Sequence, residues 1–283
     1  MPVVCRPARA QDLERADALV VASINDLTER HGFGPVAVSR PPQFQLFSLK
    51  DDPGGLWVAE DAGQILGFAW SWVCGDLWFL AQLFVAPGQQ GRGIGSELLK
   101  WALDHAQKSG AVNKALITFT FNTVSQGLYI RHGLFPRMPI YNFGVAREAL
   151  KNRLQGAQFR RVPLEVSDSH LQSLDRIDDC ATKGVMLYAG DNCVGYVYVG
   201  DDGHIGPLAV ARPDHLDVAF RTALSLAAEG SSAQVSAFLP GTCATALGIA
   251  VAHGMRITFP MILMSTRDFG DWTRYLPRNP AFM

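Results

Sequence analysis

The segment Val85-Ala86-Pro87-Gly88-Gln89-Gln90-Gly91-Arg92-Gly93-Ile94-Gly95-Ser96-Glu97-Leu98-Leu99 constrains this chain more than any other. A strand-like apolar run, Leu77–Val85, is ended by Pro87 and Gly88. Three alternate glycines follow, and then Ile94, Leu98, Trp101, Ala102 and Ala106 recur at helical spacing. Glycine permits positive φ and close approach of a ligand to the backbone. Successive N–H groups in such a turn, backed by a helix N-terminus, converge on one point and suit a pyrophosphate. Arg92 can add a charge-assisted bond to a phosphate oxygen. A Walker loop needs Lys and then Ser or Thr after its last glycine, whereas Gly95 is followed by Ser96-Glu97. A dinucleotide fingerprint needs G-x-G-x-x-G, and Gly91, Gly93 and Gly95 are spaced differently. The remaining alternative is a tight strand-to-helix turn with no ligand.

The surroundings of this turn predict a mixed α/β fold. Residues 3–6 form a short strand, and Leu13, Ala16, Leu19, Val20, Ile24 and Leu27 mark an amphipathic helix opened by Asp12. Residues 31–55, rich in Gly and Pro, form a loop with a short helix around Phe44–Lys50. Leu56–Glu60, Gln64–Val73 and Leu77–Val85 form an antiparallel meander, turned at Asp61-Ala62-Gly63. Ala115–Phe121 is a buried strand, and Thr123–His132 is a helix closed by Gly133. Residues 134–145 form a last strand region broken by Pro136 and Pro139.

Composition narrows the setting. The chain has 283 residues, 48% of them hydrophobic and 18% charged, which suits two globular domains. A formal net charge of −1 gives no general attraction to nucleic acid or to an anionic membrane. The five cysteines (Cys5, Cys74, Cys180, Cys193, Cys243) form no C-x-x-C pair, so neither a disulfide framework nor a structural metal is expected. No apolar run approaches the roughly 20 residues that span a membrane, and Met1–Pro7 has no basic start followed by an apolar stretch. A cytoplasmic protein is expected, with no nucleic-acid or membrane partner.

Gln90-Gly91-Arg92-Gly93-Ile94-Gly95 resembles the Q/R-x-x-G-x-G/A signature of the GNAT superfamily of N-acetyltransferases. Asn122…Ser125…Tyr129-Ile130-Arg131-His132-Gly133-Leu134 resembles the family's N-x-x-A-x-x-x-Y-x-x-x-G-F region. The hairpin Trp57-Val58-Ala59-Glu60…Gly63…Gly67-Phe68-Ala69 and the start Arg6-Pro7-Ala8…Asp12-Leu13 are also similar, so the resemblance spans residues 3–145 in order. It implies an α+β fold with a mostly antiparallel central sheet flanked by helices. It also implies acetyl-CoA, or another short acyl-CoA, as co-substrate, and transfer of the acyl group to a primary amine by direct attack on the thioester. The acceptor would be a small-molecule or peptide amine.

The family comparison implies residue roles. Backbone groups of Leu83, Phe84 and Val85 would pair with the pantetheine arm, and Gln90, Gly91, Arg92, Gly93, Ile94, Gly95 and Ser96 would cradle the pyrophosphate. Asn122 and Ser125 would touch the cofactor further along, and Tyr129 would protonate the departing thiolate. Many relatives carry a carboxylate on the strand before the turn, but Leu80-Ala81-Gln82-Leu83 has none. Glu60, Asp76, His132 or a water relay are the substitutes for a general base. Trp70, Trp72 and Phe79 are candidates to line the acceptor cleft, with core packing as the alternative for aromatics on central strands. The missing carboxylate also keeps open a non-catalytic acyl-CoA sensor or an interaction module.

The pattern then recurs. Ile65-Leu66-Gly67-Phe68 matches Cys193-Val194-Gly195-Tyr196, Leu83-Phe84-Val85-Ala86-Pro87 loosely matches Leu208-Ala209-Val210-Ala211-Arg212, and His132-Gly133-Leu134 matches His253-Gly254-Met255. Offsets of 128, 125 and 121 residues in a shared order indicate a tandem duplication. The expected division is a catalytic domain at 1–145, a linker at 146–162 and a degenerate copy at 163–283. The second copy has Asp214-His215-Leu216-Asp217 where the first has glycines, and Ala250 in place of the tyrosine. No pairing of His204, His215, Asp214 and Asp217 suggests a metal. A duplicated chain is compatible with a monomer or a homodimer.

Overall fold

The computed structural model describes residues 3–154, 156–164 and 182–282. Cys180 lies outside them. The chain forms two compact units, Met1–Pro136 with Met264–Asp268, and Arg137–Leu263 with Phe269–Met283.

The first unit is a sheet ordered β1 (Val4–Pro7), β2 (Leu56–Asp61), β3 (Gln64–Cys74), β4 (Leu77–Val85) and β5 (Asn113–Phe119). All neighbours are antiparallel except β4 and β5. Helix α1 (Leu13–Arg30) buries Leu13, Ala16, Leu19 and Val20, the face given by its spacing. Its start is pinned by Asp12, whose buried carboxylate accepts from Arg6 Nη1 at 2.7 Å, Arg6 Nη2 at 3.0 Å and the Arg9 N–H at 2.8 Å. Helix α2 (Gln43–Asp51) follows a loop tied down by Asn25, whose side chain bonds the N–H groups of Val36 and Ala37. Helix α3 (Ile94–Ser109) packs Ile94 and Leu98 onto Ala59 and Ala69. A Cβ on Gly67 of β3 would lie 2.8 Å from Leu98 Cδ1 and 3.1 Å from Ile94 Cγ2, so this glycine lets the helix approach the sheet. Residues 264–268 join the unit beside β5. Thr266 N–H donates to Lys114 O at 2.9 Å, and the buried Asn113 side chain bonds both Thr266 and Arg267.

The second unit repeats the plan. Its order is β12 (Arg256–Ser265), β6 (Phe135–Ala146), β11 (Gln234–Pro240), β10 (His204–Val210), β9 (Asn192–Gly200), β8 (Thr182–Ala189) and β7 (Arg160–Pro163). Helices α6 (Leu216–Glu229) and α7 (Ala244–Ala252) supply Phe220, Leu224, Ile249 and Ala250 to its core. A two-residue strand, β13 (Tyr275–Leu276), pairs with β10.

Two expectations need correction. Pro136 and Pro139 do not break β6, because its ladder with β11 begins at Ile140 and the Pro139 carbonyl still accepts from the Gly241 N–H. Residues 146–162 hold helix α5 (Arg147–Lys151) and the first three residues of β7, and the first unit's N-terminal segment ends earlier, at Pro136.

Candidate functional site

The geometry of the site begins with a break in the ladder between β3 and β4. Trp70 faces Gln82 but Ser71 faces Leu80, which leaves Ala81 as a one-residue bulge. The parallel ladder between β4 and β5 runs from Leu77/Asn113 to Leu80/Leu116 and stops at the bulge. Beyond it, β4 continues to Val85 paired on one side only. The Ala86 N–H donates to Leu66 O at 2.9 Å, so alternation turns the backbone groups of Leu83 and Val85 away from β3. The Val85 carbonyl confirms this orientation by accepting from Ser23 Oγ (3.2 Å) and Gln90 Nε2 (3.3 Å). The same alternation commits Phe84 to Phe68 on β3, so of the three residues expected to meet the cofactor through their backbone only Leu83 and Val85 turn theirs outward.

The glycine turn lies at the end of this strand. Gly88, Gly91 and Gly93 have φ of 79°, 78° and 82°, and open space surrounds each missing side chain. Backbone conformation therefore demands these glycines, whereas packing does not. The first N–H of α3 with a helical acceptor is that of Glu97, to Gly93 O at 3.0 Å. The N–H groups of Ile94, Gly95 and Ser96 precede it at the positive end of the helix dipole. Arg92 is exposed and bonds Gln89, which holds its guanidinium over the turn. The turn thus offers a set of backbone donors and one exposed cation to an anion.

Helix α4 (Thr123–Arg131) carries the remaining predicted residues. Asn122 caps it, accepting from the Ser125 N–H at 3.3 Å, which is a local structural duty. Tyr129 lies one turn beyond Ser125 and hydrogen-bonds its side chain. It is only 5% exposed, and this burial pushes its phenol well above the ordinary tyrosine range. The hydroxyl is therefore neutral and a donor at any working pH.

The other candidates separate. Trp70 and Phe79 are sealed in the core, at 2% and 0% exposure, while Trp72 stacks on Phe79 at 5.1 Å and keeps a partly exposed edge. Glu60 is held by Arg6, with Nε 2.9 Å from Oε2. Asp76 and His132 are exposed at the ends of elements. Sequence reasoning missed a four-ring stack at the end of β5, in which Phe121 contacts Phe119 (5.0 Å), Phe33 (4.9 Å) and His31 (4.7 Å). Phe33, flanked by Gly32 and Gly34 in a polar loop, was the visible signal. Ser23 and the Gln45–Gln82 contact at 3.4 Å were likewise unforeseen. Asp52, His105 and Ser71 line up at 2.9 and 3.1 Å like a hydrolytic relay. Ser71 is fully buried and also bonds Gly55 O, so the array braces α3 against β3 and offers no nucleophile.

In the second unit, the position of the glycine turn holds Arg212, whose guanidinium bonds Asp214 at 2.7 Å and keeps that carboxyl below its usual range. Among the described residues no three His, Cys, Asp or Glu side chains cluster as metal ligands, and no helix is long and apolar enough to cross a membrane.

Residues 21–134 match the Acetyltransferase (GNAT) family. Mycothiol acetyltransferase of Streptomyces avermitilis is 32% identical over 87 residues, which span 29% of this chain and 27% of that relative's length. Among solved structures, a tandem GNAT protein from the clavulanic acid biosynthesis pathway is 15% identical, with a TM-score of 0.67 over 95% of this chain and 100% of its own. A GCN5-related N-acetyltransferase from Sphaerobacter thermophilus is 13% identical, with a TM-score of 0.66 over 96% of this chain and 98% of its own. The likeness to these structures establishes the duplicated fold.

Proposed function

We propose that this chain, whose residues 21–134 belong to the Acetyltransferase (GNAT) family, transfers an acetyl group from acetyl-CoA to a primary amine of a small molecule or peptide. The observation that carries this reading is the bulged end of β4, unpaired on its β5 side and running straight into a positive-φ glycine turn at a helix N-terminus. Open strand donors followed by an exposed turn at a helix N-terminus support this reading, since they suit a long ligand with amides at one end and a pyrophosphate at the other.

Each residue then has a duty. The N–H groups of Ile94, Gly95 and Ser96, with Arg92, hold the pyrophosphate. The N–H groups of Leu83 and Val85 pair with the pantetheine amides, and one of them polarises the thioester carbonyl as negative charge develops on its oxygen. The amine nitrogen attacks that carbonyl carbon, the C–S bond breaks, and Tyr129 gives its phenolic proton to the departing sulfur. The proton lost from the amine leaves through water, since Leu80-Ala81-Gln82-Leu83 of β4 carries no carboxylate to serve as base. This assignment keeps the enzyme free of a covalent intermediate.

Calorimetric titration with acetyl-CoA, and with NADH as a control, tests the cradle. Saturable binding of acetyl-CoA alone supports the reading, and a screen of amine acceptors by thiol release then defines the acceptor. Absence of binding overturns the cradle. Tight binding with no thiol release for any amine class leaves a sensor of acyl-CoA in place of an enzyme.

A further inference from the structure

The second unit repeats the bulge that opens the first unit's cleft. Its β9–β10 register slips between Ile205 and Leu208, and the parallel β10–β11 ladder stops at Ile205/Ala237. Gly206 stands at the offset of 125 residues from the bulged Ala81. Ala211 N–H donates to Val194 O at 2.8 Å, as Ala86 does to Leu66, so Leu208 and Val210 turn their backbone groups outward like Leu83 and Val85.

Here those groups have an occupant. Val210 N–H donates to Arg274 O at 3.0 Å, and Leu208 and Ala209 pair antiparallel with Leu276 and Tyr275. Leu276 is fully buried. Arg274 Nη1 reaches Ala211 O at 3.0 Å, and His204 Nε2 faces Arg278 O at 2.5 Å. A Cβ on Gly206 would lie 2.6 Å from Pro277 O, so the glycine admits the tail against the strand. The tail also passes Cys243, with Sγ 4.0 Å from Thr273 O. Cys243 caps α7 at the offset of 121 from Asn122, the cap of α4. The segment therefore runs along the line that joins strand edge and helix cap, the line on which the first unit presents its cleft.

We propose that the segment Thr273–Arg278 is a built-in plug, an extended peptide that takes the pantetheine position of the second unit and leaves the chain one acyl-CoA site. This inference rests on the first unit's cleft being an acyl-CoA groove. An extended peptide and a pantetheine arm share the relevant chemistry, since both present amide carbonyls and N–H groups to an open strand edge. The Arg212–Asp214 pair in place of a glycine cradle makes the loss of a second nucleotide site coherent.

Hydrogen exchange at residue resolution on the full chain tests this. The Val210 amide is expected to be protected without ligand and unchanged by acetyl-CoA. The Val85 amide is expected to exchange freely and to gain protection with acetyl-CoA. Fast exchange of Val210, new protection there on adding acetyl-CoA, or two acetyl-CoA bound per chain overturns the plug. A Val85 amide that stays unprotected with saturating acetyl-CoA, beside a protected Val210, instead overturns the reading of the first unit. Leu276→Asp in the full chain gives a second route, because a carboxylate then replaces a fully buried side chain of the segment. The Val210 amide should then exchange at least about 30-fold faster, while Val85 keeps its gain of protection with acetyl-CoA. An unchanged Val210 rate contradicts the proposal.

Discussion

At the residue scale, Tyr129 joins two demands. Burial raises its pKa, which makes it a reluctant acid towards water and keeps its hydroxyl protonated for the proposed transfer to sulfur. Tyr129→Phe should lower kcat by about 100-fold, within the range for loss of a general acid, while acetyl-CoA affinity measured by calorimetry stays unchanged. The phenol must be protonated to act, and its pKa is raised, so it imposes no loss of rate below the ordinary tyrosine value of about 10. Any alkaline limb owed to it lies above that and vanishes in the phenylalanine variant. Asp12 works in the opposite sense. The Arg6 hydrogen bond holds its carboxyl below the ordinary value of 3.8 despite burial. Its stabilisation is therefore complete above that pH and lost as pH falls through the lower folded value. Asp12→Asn should cost about 1–3 kcal/mol at neutral pH and flatten the acid limb of stability, read from urea midpoints between pH 2 and about 5.

At the element scale, the glycine turn and α3 act together, since the helix must sit close to the sheet for its N-terminus to meet the end of β4. Gly93→Asp places a side chain on a φ of 82° and a negative charge among the donors proposed to hold phosphate. It should weaken acetyl-CoA binding by at least about 100-fold, on the scale of two lost charge-assisted bonds. Gly67→Ala acts from beneath, pushing Leu98 off β3 at a cost of about 1–3 kcal/mol, read by thermal or urea unfolding. These elements were legible because their signals are local. Apolar runs bounded by turn residues marked β2 to β4, a period of 3.6 marked α1 and α3, and three glycines marked the turn. The bulge at Ala81 carried no such signal, because any residue can occupy it and only the register on both sides reveals it. The burial of Trp70 and Phe79 was equally hidden, since a strand aromatic reads the same whether it faces a cleft or a core.

At the scale of the whole molecule, the duplication assigns residues to units in an order that the sequence does not follow. Asn113 on β5 is completed by Thr266 and Arg267, more than 150 residues away. Asn113→Ala should cost about 1–3 kcal/mol, because the Arg267 backbone groups lose their buried partner, and the urea midpoint of the full chain reads it. The sequence by itself determined the order of elements, the site of the glycine turn, the presence of two copies and the absence of those glycines from the second. All of these depend on neighbours within a few residues or on one motif compared with another. Only the tertiary structure decided that β6 pairs with β11, that residues 264–268 flank β5, that Glu60 is bound by Arg6, and that the C-terminal segment fills the edge of β10. Pairings of that kind join segments whose local patterns are compatible with several partners, and the choice is made by which packing buries the most apolar surface with every backbone group bonded.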